Sequence, residues 1–543
     1  MKKQWVVLIL LLLFIATTSW IWLTLDTQPP WWDQSDYLQT SCQYAHHLQR
    51  LHFGGFFKDL IFFNVIRPPL VMLLTTPVYF FNYRNEDLAV MINVLFMALA
   101  FFAILKICKG YLNPKAALLS CFILSMYPII FELTRTFMVD IGLMSMVVLS
   151  IYLLLKCDGF KNLKYSLLLG LSLGLGMLTK QSYPIFIIVP FICIVWKSNL
   201  MAFTNRAKIG SPDSIAKALL NLIYCLLVAE ALTLPWYSAN LRHTLHLLSY
   251  YNSAEFVAKY VPYYLQDIKK FLTYYPIIMA KYGISALFTF LFLCSGIFFF
   301  RTPKFGDIKR VFIWLIVFPL IFFTFSLGKN IRFLVPLLPA VAIITAHGLY
   351  LIKNRLIKTI TIGLIVCVGA FQFFVYSFNI SFLREKLPKI IIWEKIVVFH
   401  PERWYSKHPQ QEEWKVEEVL ATIKKDMKEN SKRETTIIIL SDHKTYNANT
   451  LNYYSTKKRL GLLFRSAAWT DDVTSFMAKE NYLYVIYKDV DASDLEFYKR
   501  RIDKAYAYLQ QHTQEFTIID KIRVFDGSHI VVYKRMQFSH FNS

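Results

Sequence analysis

Charge is what this sequence has little of: Asp, Glu, Lys and Arg together make up 17% of its 543 residues, while 56% are apolar. Soluble proteins carry about 25% and about 45–50%, so an ordinary soluble globule is excluded. Acids are scarcer still, 36 against 59 Lys and Arg, which leaves a formal charge of +23. Those bases are scattered over short loops between apolar runs and form no basic stripe, so no nucleic-acid partner is expected. Of eight cysteines, seven fall in or beside apolar runs and only Cys42 in a loop; neither a disulfide framework nor a zinc spacing results. There is no Gly-rich nucleotide loop, internal repeat or low-complexity segment. The start, "MKKQWVVLILLLLFIATTSWIWL", lacks a small-x-small cleavage site and reads as a retained first span.

What is present is a series of nearly uncharged stretches of the length that crosses about 30 Å of hydrocarbon. Hydropathy predicts eleven spans, at 5–25, 88–107, 115–131, 138–155, 164–179, 183–197, 216–235, 277–300, 311–327, 332–351 and 357–378. Residues 59–81 are apolar too, but Arg67, Pro68 and Pro69 fall near their centre. Leaving that segment along the outer interface makes "KICKGYLNPK", "KCDGFKNLK", "KSNLMAFTNRAKIGSPDSIAK", "RTPKFGDIKR" and "KNRLIK" the cytoplasmic loops, as the positive-inside rule requires. Long loops at 26–87 and 235–276 then face the exterior. After residue 379 charges become frequent: a helical pattern at Val416, Leu420, Ile423 and Met427 precedes "TTIIIL", "LYVIY", "FTIIDKIRVF" and "HIVVYKR", with "LEFYKRRIDKAYAYLQQ" between the second and third. The expected architecture is a polytopic α-helical membrane domain over 1–379 and a soluble exterior α/β domain over 380–543.

Charges at the ends of spans cost a few kcal/mol each if they enter hydrocarbon, so they snorkel, pair or function. Asp33, Asp36, Arg67, Glu132, Arg135, Asp140, Lys180, Lys329 and Arg332 gather on the expected exterior side. In "PPWWDQSDYL", Trp31 and Trp32 would hold Asp33 at headgroup depth, where it is either a solvated loop acid or a proton acceptor for an attacking hydroxyl. Asp36, three residues on, either shares a face with Asp33 or points to water. Arg67, before "PPL", would project a guanidinium that fits a lipid phosphate, and Lys180 would add a second cation. Asp140 lies inside an apolar span and needs a partner; Arg135 and Lys180 are the candidates. His243 and His246, at i, i+3, form one polar helix face or two metal ligands.

The ordered set "WWDQSDYL", "RPPL", "RTFMVDIGLM", "GLSLGLGMLTK" and "RFLVPLLPA" resembles the GT-C glycosyltransferases of the protein O-mannosyltransferase type, including bacterial aminoarabinose-to-lipid A transferases, over residues 5 to 350. The resemblance implies a polyprenyl-phosphate-linked sugar donor, a lipid, glycan or protein acceptor, and a bacterial inner membrane with the C-terminal domain outside. It puts Asp33 at the catalytic acid, Asp140 at the second acid, Arg67 at the cation that holds the lipid phosphate, and Tyr37 at an aromatic that follows the catalytic acid. Arg135, Asp36, Lys180 and Arg332 complete the expected substrate contacts. Many members have Asp-Glu where this chain has Asp33-Gln34, so that second carboxylate is missing; a divalent metal is left open. The rivals are a transporter or flippase of a lipid-linked glycan and an oligosaccharide polymerase or ligase. Against transport, the charges gather at one interface and not at the midplane.

Overall fold

Hydrocarbon offers the backbone no partner but itself, so apolar runs close into helices. The computed structural model describes residues 2–81, 83–197, 212–251, 253, 256, 267–302, 306–378, 380, 390–392, 396–399, 408–427, 435–479, 482–490, 493 and 496–536. Most of the expected cytoplasmic loop at 197–217, part of the loop at 235–276 and much of 380–407 lie outside the described residues.

Among the described residues, six helices are long and apolar enough to cross a membrane: Gln4–Leu25, Asn85–Tyr111, Ile215–Tyr250, Gly306–Phe325, Ile331–Tyr350 and Arg355–Ser377. A seventh results if Ile268–Gly283 and Ala286–Arg301, bent by 117° at their junction, count as one broken span. The expected count of eleven is not reached among the described residues. Pro128 cannot continue a helix from upstream and instead opens Pro128–Leu133 after Ala116–Ser125, dividing the stretch read as one span at 115–131. Asp140–Lys156, Leu163–Met177 and Tyr183–Lys197 have 17, 15 and 15 residues. At 1.5 Å per residue the last two reach only about 22 Å.

Contacts divide the chain into two compact units, which differ from the division at residue 379 read from the sequence. One comprises Met1–Leu23, Phe57–Leu74 and Val90–Pro409; the other comprises Thr24–Phe56, Thr75–Ala89 and Gln410–Ser543. In the first, a Cβ on Gly170 would collide with the Cys225 carbonyl oxygen, so helices Leu163–Met177 and Pro212–Tyr251 cross with backbones touching. Ser150 Oγ lies 2.6 Å from both Ser172 Oγ and the Tyr183 hydroxyl, joining three helices through buried polar groups.

In the second unit, strands β3 (Thr435–Leu440), β4 (Leu462–Ser466), β5 (Tyr484–Lys488), β6 (Phe516–Arg523) and β7 (His529–Arg535) form one sheet in the order β4-β3-β5-β7-β6; β1 (Ile390–Ile392) and β2 (Ile396–Phe399) form a separate antiparallel pair in the first unit. The β3 neighbours are parallel, and β7 is antiparallel to both β5 and β6. Alternation explains why the "IIIL" end of β3 is apolar throughout: Ile437 and Ile439 enter the core under helices Val416–Asp426 and Ala448–Lys457, whereas Ile438 and Leu440 enter the one under Glu496–Gln511. Helix Trp32–Gln49 belongs to this unit and packs on Ala448–Lys457. The Thr450 hydroxyl donates to the Pro30 carbonyl at 3.2 Å and the Asn449 amide to the Trp32 carbonyl at 3.2 Å. Thr75–Ala89 is fastened by the Lys457–Glu86 ion pair at 2.8 Å and by the Tyr79 hydroxyl donating to Tyr453 at 3.3 Å.

Candidate active site

Three segments of the first unit meet at Asp140. Asp140 opens helix Asp140–Lys156, where a carboxylate is favoured by the unpaired N–H groups of the first turn. Lys180 follows helix Leu163–Met177 in a turn whose Lys180 N–H reaches the Gly176 carbonyl at 3.3 Å and whose Lys180 carbonyl accepts from Tyr183 at 3.0 Å. Arg332 lies in the short 3₁₀ helix Ile331–Leu337, started by Asn330, whose side-chain oxygen accepts from the Arg332 N–H at 3.0 Å and from its Nε at 3.4 Å.

The Asp140 carboxylate is fully buried. Its Oδ1 accepts from Lys180 Nζ at 2.8 Å, and its Oδ2 lies 3.7 Å from Arg332 Nη1, too far for a hydrogen bond. The Lys180 ammonium also faces the Phe333 ring at 5.6 Å. Arg67 is carried toward this turn by its backbone: the Leu70 N–H donates to the Leu178 carbonyl at 3.0 Å, and the Gln181 amide donates to the Ile66 carbonyl. The buried Asp140 carboxylate is thus flanked by the Lys180 ammonium and the Arg332 guanidinium, groups whose charge-assisted hydrogen bonds also suit a phosphate.

Of the predicted site residues, Asp140, Lys180 and Arg332 come together, with the Arg67 segment tied to the Lys180 turn. Arg135 takes no part in that cluster. It is 2% exposed, and its guanidinium sits among Trp22, Phe131, Phe373 and Phe378 at 5.0–5.8 Å, with none of the three guanidinium nitrogens hydrogen-bonded among the described residues. Asp33, Asp36 and Tyr37 belong to the second unit, on helix Trp32–Gln49. Asp33 and Asp36 are half-buried and share a helix face at i, i+3, while Tyr37 is buried. Gln181, Asn330 and Phe333 escaped sequence reasoning; adjacency to Lys180 and Arg332 was their only signal.

Two other arrangements are chemically quiet. Cys42 Sγ lies 3.6 Å from His46 Nε2, but burial pushes the thiol up to about 12 and the imidazole down to about 4, so the pair is neutral and no nucleophile. Among the described residues, no three His, Cys, Asp or Glu side chains gather as a metal site.

Residues 67–228, under a third of the chain, match the family model described as dolichyl-phosphate-mannose-protein mannosyltransferase. No curated protein matches the sequence. Among solved structures, ArnT from Cupriavidus metallidurans bound to undecaprenyl phosphate is similar at 14% identity with a TM-score of 0.56, over 98% of both chains. The same protein in the apo state is similar at 14% identity and a TM-score of 0.58, also over 98% of both. The resemblance carried by the ordered motifs is matched by the whole chain's path: this is a multi-pass membrane protein with the fold of the GT-C glycosyltransferases.

Proposed function

We propose that the chain is a membrane glycosyltransferase that moves a sugar from a polyprenyl-phosphate donor to a hydroxyl of a lipid, glycan or protein, with inversion, on the exterior face of a bacterial inner membrane. The observation that carries this reading is the buried Asp140 carboxylate held between Lys180 and Arg332, with the Arg67 segment hydrogen-bonded to the Lys180 turn. A structure of the same fold is described as bound to undecaprenyl phosphate, which supports a lipid-linked donor.

The acceptor oxygen attacks the anomeric carbon, the bond from that carbon to the phosphate oxygen breaks, and its electron pair leaves on the phosphate. Negative charge therefore grows where Arg67, Lys180 and Arg332 can meet it, and fixed cations there lower the barrier without having to reorganise. Asp140 orients Lys180 through the 2.8 Å hydrogen bond to its ammonium. The acceptor's proton goes to Asp33, a role that rests on the resemblance and is tested by its own substitution.

The test is sugar transfer from a radiolabelled polyprenyl-phosphate monosaccharide in proteoliposomes. A new glycosidic bond to a hydroxyl acceptor is expected. Label that crosses the bilayer without forming such a bond would replace this reading with the flippase one.

A further inference from the structure

The sheet-bearing unit contains a cavity of about 560 Å³ for which the transfer reaction has no use. Glu417, Leu420, Ala421, Lys424 and Lys425 of helix Val416–Asp426 form one wall, and Lys458 and Leu460, just past helix Ala448–Lys457, form the other. The first five follow helical spacing, so they lie on one face. Leu420, fully buried, belongs to the apolar part of the lining.

Three ammonium groups share this hollow with one carboxylate. Lys458 pairs with Glu417 at 2.8 Å, whereas Lys424 and Lys425 make no ion pair among the described residues. Cations in the last turn of a helix favour its C-terminal dipole, which accounts for Lys424 and Lys425 on their own helix. It does not account for a third lysine from another element on the far side of a hollow whose size is typical of small-ligand sites. We propose that the hollow binds a phosphate ester, held by Lys424, Lys425 and Lys458, with Glu417 competing for Lys458. Lysine binds phosphate as a point charge and needs no planar match.

The experiment is calorimetric titration of the full-length protein in nanodiscs of zwitterionic lipid with inorganic pyrophosphate. Both the reference and the variants carry Arg67→Gln and Arg332→Gln, so that the two guanidinium groups assigned to the donor phosphate are silenced. Saturable binding is expected, weakened about tenfold or more by Lys424→Gln with Lys425→Gln, because two charge-assisted hydrogen bonds to the phosphate oxygens disappear together. Glu417→Gln should tighten binding a few-fold, an outcome that a purely structural Lys458–Glu417 pair does not produce. Displacement by phosphatidylglycerol vesicles would identify a lipid headgroup as the source of the ester, and failure to displace would identify a soluble one. No saturable binding, or an affinity that neither set of substitutions changes, overturns the proposal.

Discussion

Lys180→Met puts the Asp140 cluster to a quantitative test that needs no substrate. With Lys180 gone, a fully buried carboxylate keeps only Arg332 at 3.7 Å and loses its one hydrogen bond. Removing one partner of a buried pair costs about 3–5 kcal/mol. The Lys180 side chain is 20% exposed, so the lower end, about 3 kcal/mol, applies. Asp140→Asn should cost a similar amount, because it leaves Lys180 and Arg332 without their shared anion. The double substitution removes both charges and should recover about 2 kcal/mol of the summed loss, the coupling expected of residues in direct contact. The assay is thermal unfolding of the detergent-purified full chain for the wild type, both single variants and the double. A double variant whose loss equals the sum of the two singles would show that the pair is not coupled, and the electrostatic reasoning about this cluster would fall.

Other expectations follow from the same geometry. Asp33→Asn should lower transfer by about 100-fold or more, the worth of a general base, with the circular dichroism unchanged; near-normal turnover would remove Asp33 from that role. Arg135→Lys exchanges a flat guanidinium among four rings for a compact ammonium. It should cost about 1–2 kcal/mol of stability while the donor KM stays within about twofold, and a tenfold rise in KM would return Arg135 to the substrate contacts. Lys329, in the loop before Asn330, is pushed down to about 8 from 10.5 by burial. Between those pH values the unfolded chain binds the extra proton, so stability should rise with pH from about 8 to 10.5. Lys329→Met should abolish that rise, and a variant with the same slope as the wild type would refute the assignment.

Legibility in the sequence followed the range of the interaction. That Asp140 needs a partner is readable, because an unpaired carboxylate inside an apolar run is costly, and Lys180 is one of two candidates. The strands of the sheet were readable from their apolar alternation and runs, although β4, with its short "LLFRS", was not distinguished. Arg135 looks like an interface cation in the sequence because Trp22, Phe373 and Phe378 are far from it in the chain, and nothing local announces a ring cage. The grouping of Trp32–Gln49 with the sheet was hidden for the same reason: it depends on hydrogen bonds such as Thr450 to Pro30, 420 residues apart. Among the described residues the expected spans and the observed helices part where hydropathy averages across a helix break, as at Pro128.

The central claim is that cations near a single buried acid grip the phosphate of a lipid-linked sugar. Native mass spectrometry of the protein mixed with polyprenyl phosphate, wild type against Arg67→Gln with Arg332→Gln, tests it most directly. The account predicts one lipid phosphate retained per wild-type chain and little or none on the variant; equal occupancy of the two proteins would contradict it.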